Sequence, residues 1–335
     1  MKIVIPVAGF GSRLRPHTHS KPKPLLHVAG KSVLAYIIDD IVNTWKLSFS
    51  EMIFITGHLK EKMESSIRTT YSFESVFIEQ KVRDGTAGAI GLSRTAFAAD
   101  EDIFIIYADT IFEADLSLIE KVRHDPAIDG IIWVKEVEDY KRFGVAVLDA
   151  QGYITKFVEK PNEPISKLAN IGVYYFKSAK KLFDAIDYIY EKKITVKGEF
   201  FLTDAIQHLI SSGEKITTAP VDGWYDCGAF ETLLETNQAL LKKHPVRKSE
   251  PINSVIIEPV FIDDDVIIEN SIIGPNVSIA KGAVIRNSII VNSIIDTDAK
   301  LIDVKLSDST VGEHAVMQGT SKKVNIGDSS EIYHS

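Results

Sequence analysis

Four basic side chains, Arg13, Arg15, Lys21 and Lys23, lie along the stretch VAGFGSRLRPHTHSKPKPLL (residues 7–26), directly after the apolar run MKIVIP. Gly9 and Gly11 open the same stretch, and glycine lets backbone N–H groups approach a phosphate closely. A guanidinium such as that of Arg13 presents a fork that suits phosphate oxygens. No acidic residue precedes Asp39, while six Lys and Arg do. Charge segregated in this way points to an anionic ligand; the plainer alternative is a surface turn with solvated charges. Two familiar phosphate loops fit poorly. The third glycine of a dinucleotide-binding fold would fall on Leu14, and no Gly-Lys-Ser/Thr follows as a Walker loop requires.

Two carboxylates add to the chemistry. Asp109 ends the run IFIIYAD, and a carboxylate at the C-terminal end of a buried parallel strand lies on the ligand edge of an α/β sheet. A helix N-cap is the other reading. Asp226 stands in GWYDCGAF, between an aromatic pair and Gly228, with Cys227 beside it. A buried thiol there is expected to pack and not to react.

Positioning such residues needs a framework, and 335 residues allow two domains. KIVIPVA, EMIFITG, SVFIEQ, DIFIIYAD, GIIWVKEV and GVAVLDA are short runs rich in Val, Ile and Phe, as buried strands require. Between and after them SVLAYIIDDIVNTW, DLSLIEKVRH, GEFFLTDAIQHLISSG and GAFETLLETNQALLKKH read as helices. Such alternation gives an α/β layer with a largely parallel sheet. KKHPVRKSEP then breaks the pattern as a linker does.

Beyond it the period changes. Val255, Phe261, Ile267, Ile273, Ile279, Ile285 and Val291 recur at every sixth residue, and the signal resumes out of phase at VGEHAV and IGDSSEI. A hexapeptide period marks a parallel β-helix, with each hexad forming one face of a coil; residues 251–335 suffice for about four or five coils. The expected organisation is a domain over 1–241, a linker over 242–250 and the β-helix over 251–335.

A formal net charge of -8 argues against a nucleic-acid or anionic-membrane partner, both of which need broad positive fields. The single cysteine excludes an internal disulfide framework and suits a reducing compartment. The few residues before the first bend are too short for a secretory h-region, and no apolar stretch spans a bilayer. A cytoplasmic chain, assembled as a homo-oligomer, is the expectation.

AGFGSRLRPHTHSKPKPLLHVAGK resembles the signature of the sugar-1-phosphate nucleotidyltransferases, G-x-G-[ST]-R-[LM]-x-P-x-T followed by K-P-[LM]. The match takes in Gly9, Gly11, Ser12, Arg13, Leu14, Pro16, Thr18, Lys23, Pro24 and Leu25; Ser32 stands where proline is usual. The resemblance implies a Rossmann-like, glycosyltransferase-A-like mixed sheet, here followed by a left-handed parallel β-helix. It implies that Ala8, Gly9, Gly11, Ser12 and Arg13 wrap a nucleoside triphosphate. Arg13 would bind the β- and γ-phosphates, and Lys23 would bridge the α-phosphate and the sugar phosphate. In QKVRDGTAGAI, Gln80 would read the nucleobase while Gly85 lets the backbone approach its ring. A Gln amide both donates and accepts, which suits uracil or thymine better than guanine. Asp109 and Asp226 would hold Mg²⁺, although Ala108 replaces a usual glycine. In RFGVAVLDAQGYITKFVEKPNEPISKLANIGVYYF, Gly144, Glu159 and Asn170 would contact sugar hydroxyls and Lys160 the sugar phosphate.

The implied reaction joins a nucleoside triphosphate to a sugar 1-phosphate and releases pyrophosphate, with dTTP and glucose 1-phosphate first in order. UTP with glucose 1-phosphate, and GTP with mannose or heptose 1-phosphate, are the alternatives. A β-helix acyltransferase, alone or as a second activity, would use His314. His17, His19 and His27 read as incidental, and GEFFLTD as a structural helix.

Overall fold

In the computed structural model the described residues are 1–98, 101–322 and 324–333. They form two compact units, one of residues 1–9 and 38–224, the other of residues 10–37 and 225–335. The basic stretch after Gly9 thus groups with the C-terminal region.

The first unit is built on a nine-stranded mixed sheet. Lys2–Pro6 lies between Glu51–Thr56 and Ile103–Ile106, parallel to both, and Glu51–Thr56 pairs in parallel with Ser75–Glu79. These are the strands expected from Val, Ile and Phe runs, and Ile3, Val4, Ile5, Phe54 and Ile105 are fully buried. Strands covered on both faces carry continuous apolar runs and no alternation. Leu168–Phe176 enters antiparallel beside Ile103–Ile106 and also pairs with Gly130–Glu136. Gly144–Leu148 and Ile154–Glu159 form an antiparallel pair at the sheet's end. Three helices, Ala179–Glu191, Leu202–Ser211 and the short Thr86–Gly91, pack their apolar residues into the core formed by these strands.

The second unit contains a parallel β-helix. Its strands stack in three series, marked by the pairs Val255 with Ile272, Val260 with Val277 and Ile267 with Val284. Three hexads to a turn would make each coil about eighteen residues, and the coils are shorter than that. Ile272 pairs with Ile289 seventeen residues on, Ile289 with Lys305 sixteen on, and Val316 with Glu331 fifteen on. A shortfall of one residue reverses which face a side chain takes, so the six-residue series drifts. Ile273, Ile279 and Ile285 lie in the β-helix core, whereas Val255 and Ile267 point outward and are 55% and 42% exposed. Phe261 also lies outside that core, between the inward Val260 and Ile262, and is covered by Gly30. Stacked side chains mark one corner: Asn253 Nδ2 donates to Asn270 Oδ1 at 2.6 Å, and Asn287 Nδ2 to Asp303 Oδ1 at 3.0 Å. All four residues have positive φ, a conformation that Asn and Asp tolerate best among non-glycine residues.

Within the stretch expected as a linker, Val246 and Arg247 pair with Phe261 and Ile262. The helix Phe230–Lys243 belongs to this unit, and its Asn237 Oδ1 accepts from Ala29 N at 2.8 Å and from Ser278 Oγ at 2.6 Å. No helix among the described residues is long and apolar enough to cross a membrane.

Candidate active site

In the first unit the predicted site residues gather at the C-terminal ends of the parallel strands and on the antiparallel strands beside them. Ala8 follows Lys2–Pro6, and its carbonyl accepts from Arg83 Nε at 3.3 Å. Gln80 follows Ser75–Glu79, is buried, and holds the Thr56 carbonyl through its backbone N–H at 2.8 Å. Its Nε2 lies 3.4 Å from the Gly85 carbonyl, a long contact. Gly85 caps Thr86–Gly91 with φ +123°, and a Cβ there would meet the Phe200 carbonyl at 2.1 Å. The chain's own backbone therefore requires glycine at 85, independently of any base ring.

Asp109 lies in the turn between Ile103–Ile106 and Thr110–Glu113. Beside it a polar network links the four residues assigned to the sugar. Asn170 Nδ2 donates to the Gly144 carbonyl at 3.1 Å, and Asn170 Oδ1 accepts from Gly172 N at 3.1 Å and from the Tyr174 hydroxyl. Glu159 Oε2 accepts from Thr203 Oγ1 at 3.0 Å, and Glu159 Oε1 lies 3.3 Å from Lys160 Nζ. That ammonium also sits over the Phe201 ring, 4.4 Å from its centroid. Tyr107 hydrogen-bonds Thr86 and Tyr174. Burial pushes the Tyr107 and Tyr174 hydroxyls above the ordinary phenol range, and the nearby charges of Glu159 and Asp109 push the same way. Both tyrosines therefore stay protonated as donors.

Asp204, in the first turn of Leu202–Ser211, is pushed up to about 6, first by burial and then by the Glu159 charge. Its Oδ2 is buried without a hydrogen-bond partner among the described residues. The folded chain thus holds this proton more tightly than the unfolded chain, and the group lowers stability as pH rises from about 4 to 6. Asp204→Asn removes the ionisable group. It should be more stable than the parent above pH 6 by on the order of 1 kcal/mol, the shift being discounted because the carboxyl is half-exposed. Urea midpoints across that pH range check this: a gap that does not widen between about pH 4 and 6 contradicts it.

In the second unit Gly11 takes a left-handed conformation, φ +61°, and a Cβ there would lie 2.8 Å from Thr18 Cγ2 and 3.0 Å from Lys23 Cβ. Thr18 Oγ1 donates to the Gly11 carbonyl at 2.8 Å. Ser12 and Arg13 begin a short 3₁₀ turn and are exposed; Lys23 is half-buried. Asp226 ends the strand Gly223–Asp226, where its Oδ1 accepts from Gly228 N at 2.7 Å. Cys227 is buried, as expected of a packing thiol.

Two expectations for this loop are corrected. Lys21 does not stand with Arg13 and Lys23 as a cation for phosphate: its Nζ lies 2.6 Å from Asp296 Oδ2 and 3.4 Å from Glu313 Oε2. Nor is His17 incidental. It is buried, with Nε2 2.7 Å from Asn325 Oδ1 and 2.8 Å from Thr310 Oγ1, and burial lowers its pKa. His314, the acyltransferase candidate, stands at a β-helix corner with its side chain 55% exposed, near Asp298 and Glu313.

Residues 2–243 match the family described as Nucleotidyl transferase. The chain belongs to that family. A relative from Haloferax volcanii, "Low-salt glycan biosynthesis nucleotidyltransferase Agl11", is 37% identical over 253 residues, 74% of this chain and 68% of its own length. "Bifunctional protein GlmU" of Methanocaldococcus jannaschii is 36% identical over 82% of this chain; the match spans only 61% of that protein. "Glucose-1-phosphate thymidylyltransferase" of Streptomyces antibioticus is 30% identical over 83% of this chain and 77% of its own. A solved UDP-glucose pyrophosphorylase with UDP-glucose superposes with a TM-score of 0.62 over 72% of this chain and 99% of its own, at 24% identity, a likeness of fold. The signature had pointed to the sugar-1-phosphate nucleotidyltransferases, and the family stands.

Sequence reasoning missed several residues of this nucleotidyl transferase. Tyr107, Tyr174 and Thr203 join the network only through contacts across strands and helices. Thr203 and Asp204 lie in GEFFLTD, which does begin a helix but also turns a hydroxyl onto Glu159. Reading GEFFLTD as a structural helix alone hid that second role.

Proposed function

We propose that this sugar-1-phosphate nucleotidyltransferase takes dTTP and glucose 1-phosphate, giving dTDP-glucose and pyrophosphate. The observation that carries the reading is the network of Gly144, Glu159, Asn170, Thr203 and Tyr174: a carboxylate, an amide and hydroxyls suited to a polyhydroxylated ring, close to the strand-end carboxylate Asp109. We take residues 1–241 as the catalytic region and 242–250 as the connection to the repeats, even though residues 10–37 and the helix Phe230–Lys243 group with the β-helix as a compact unit. Outward aliphatics on the β-helix, among them Val255, Ile257, Ile267 and Ile272, support association of copies in a homo-oligomer.

An oxygen of the sugar phosphate attacks the α-phosphorus while the bond to the pyrophosphate oxygen breaks in line with it. Such transfers are accelerated by positioning and by charge neutralisation, with no protein nucleophile. Ala8, Gly9, Gly11 and Ser12 bring backbone around the triphosphate, and Arg13 offsets charge on the departing pyrophosphate. Lys23 and Lys160 offset charge on the α-phosphate and the acceptor phosphate. Glu159, Gly144 and Asn170 orient the sugar. Asp109 and Asp226 would be the carboxylates that hold Mg²⁺, a hard cation that takes one or two carboxylates together with phosphate oxygens and waters. Among the described residues no three His, Cys, Asp or Glu gather as a metal cage; the substrate's oxygens would complete the shell. When bound, the ion neutralises triphosphate charge.

Gln80 carries the preference for a pyrimidine nucleotide. In Gln80→Glu an acceptor faces O4 or O2 of the base, and a mismatched buried hydrogen bond costs about 1–3 kcal/mol. The expected outcome is a fall of about tenfold or more in kcat/KM for dTTP and UTP relative to GTP. Unchanged ratios would show that the base is read elsewhere. Pyrophosphate release with dTTP, UTP, GTP, ATP and CTP against glucose, mannose and heptose 1-phosphates tests the substrate assignment. A maximum at any other pair overturns dTTP with glucose 1-phosphate.

A further inference from the structure

The loop assigned to the triphosphate has little regular structure of its own. Three short 3₁₀ turns, Ser12–Leu14, His17–His19 and Lys23–Leu25, follow one another, held by a few local backbone bonds. A chain so built has many conformations of similar energy unless something outside it selects one. The β-helix supplies that something within the same compact unit.

Its contacts fall on residues between and beside those that would meet phosphate. Lys21 is paired with Asp296 and Glu313, with side-chain exposures of 15%, 10% and 35%. Asp296 is buried, and a hydrogen bond from His27, together with the charge of Lys21, holds its carboxyl far below the usual carboxylate range despite that burial. His17 meets Thr310 and Asn325, the Asn325 amide donates to the Arg15 carbonyl at 3.4 Å, and Ser20 donates to Asp328. Phe261 packs against Gly30 at the loop's far end.

These contacts pass directly to the phosphate-binding residues. His17 precedes Thr18, which bonds the Gly11 carbonyl and packs where a Gly11 side chain would lie, as Lys23 Cβ also does. Lys21 is two residues from Lys23. A cavity of about 20 Å³ remains between loop and β-helix, lined in part by Leu14, His17, Asp296 and Asn325. Space of that size holds about one water. The face is therefore mainly a packing contact, with a small gap beside it.

We propose that Asp296, Thr310 and Asn325 are positioning residues for nucleotidyl transfer: acting through Lys21 and His17, they hold the loop Gly11–Lys23 in its triphosphate-binding conformation. The β-helix then enters turnover through the nucleotide half of the reaction. This rests on the reading that the loop binds the triphosphate.

The test uses the full chain and its Asp296→Asn variant, with Thr310→Val and Asn325→Ala as a second pair in case the first folds poorly. Amide hydrogen exchange is followed in peptides covering 11–26, with and without dTTP, UTP and GTP in Mg²⁺. If the competent loop population falls to about a tenth, apparent nucleotide affinity falls about tenfold. Exchange in 11–26 should then rise by a similar factor in the variants, while the strands Lys2–Pro6 and Ile103–Ile106 exchange as in the parent. The KM for nucleotide should rise about tenfold, and that for sugar 1-phosphate by less than about threefold. Exchange raised uniformly over the chain, or both KM values moving together, reduces the contacts to scaffolding and overturns the proposal. Nucleotide protection of 11–26 that is equal in parent and variants also overturns it, leaving the triphosphate reading intact. A parent chain that none of the three nucleotides protects in 11–26 refutes the triphosphate reading, and the proposal with it.

Discussion

Asp109→Asn and Asp226→Asn are each expected to lower kcat/KM by about 10²–10³, equivalent to about 3–4 kcal/mol of transition-state stabilisation, while the fold survives. Each variant removes one negative charge from a site whose ligand is itself polyanionic, so the loss is one of metal affinity and not of simple repulsion. Asn retains the shape of Asp, and in Asp226 the Oδ1 that accepts from Gly228 N has a direct counterpart in the amide oxygen. Thermal unfolding close to that of the parent is therefore part of the prediction. The check is initial rate against Mg²⁺ concentration: partial recovery at high Mg²⁺ fits a weakened site, whereas parental turnover at ordinary Mg²⁺ would remove that residue from the site.

Lys23→Met carries the second large effect. Methionine keeps an unbranched apolar stem at the position where Lys23 Cβ packs close to Gly11, so the loop should keep its shape while the ammonium is lost. Removing a cation placed against transferring phosphate costs about 10²–10³ in rate. The loss should appear in kcat as well as in the KM for nucleotide, because charge accumulates on the α-phosphate in the transition state. Arg13→Lys is its counterpart: a lysine cannot reproduce the bidentate fork and should recover only part of the activity lost in Arg13→Ala. If Lys23→Met alters only the KM for nucleotide, Lys23 binds the ground state alone and the mechanism needs another group at the α-phosphorus.

The strands were readable in advance because parallel, doubly covered strands must be apolar throughout: Ile3, Phe54 and Ile105 leave no other option. The β-helix was readable because stacked coils repeat their inward aliphatics. Its true coil length was not. A spacing of six describes Ile273, Ile279 and Ile285, but with seventeen-residue coils the same spacing carries Val255 and Ile267 outward. Composition cannot separate the two, since isoleucine stands on both faces.

At the candidate site, residue type and local spacing draw attention to Gly11, Arg13 and Lys23, whereas Glu159 and Lys160 are picked out only through the family resemblance of the motif around them. What stayed hidden depends on partners far along the chain. Lys21 looks like one more phosphate ligand until its carboxylate, 275 residues away, is brought to it. His17 is likewise defined by Thr310 and Asn325. Tyr107, Tyr174 and Thr203 carry no spacing signal either, because each completes a hydrogen bond whose other half lies on a different element.

The account stands on one reaction, attack by a sugar phosphate on the α-phosphorus of a nucleoside triphosphate, and the fate of that phosphorus is its most direct test. The full chain is supplied with α-³²P-labelled dTTP, glucose 1-phosphate and Mg²⁺, and products are separated and counted. The prediction is that label passes into a nucleotide sugar in equimolar amount with the pyrophosphate released, that none is retained on the protein, and that nothing is formed without the sugar phosphate. Label bound covalently to the chain, or pyrophosphate released at the same rate without any sugar 1-phosphate, would contradict it.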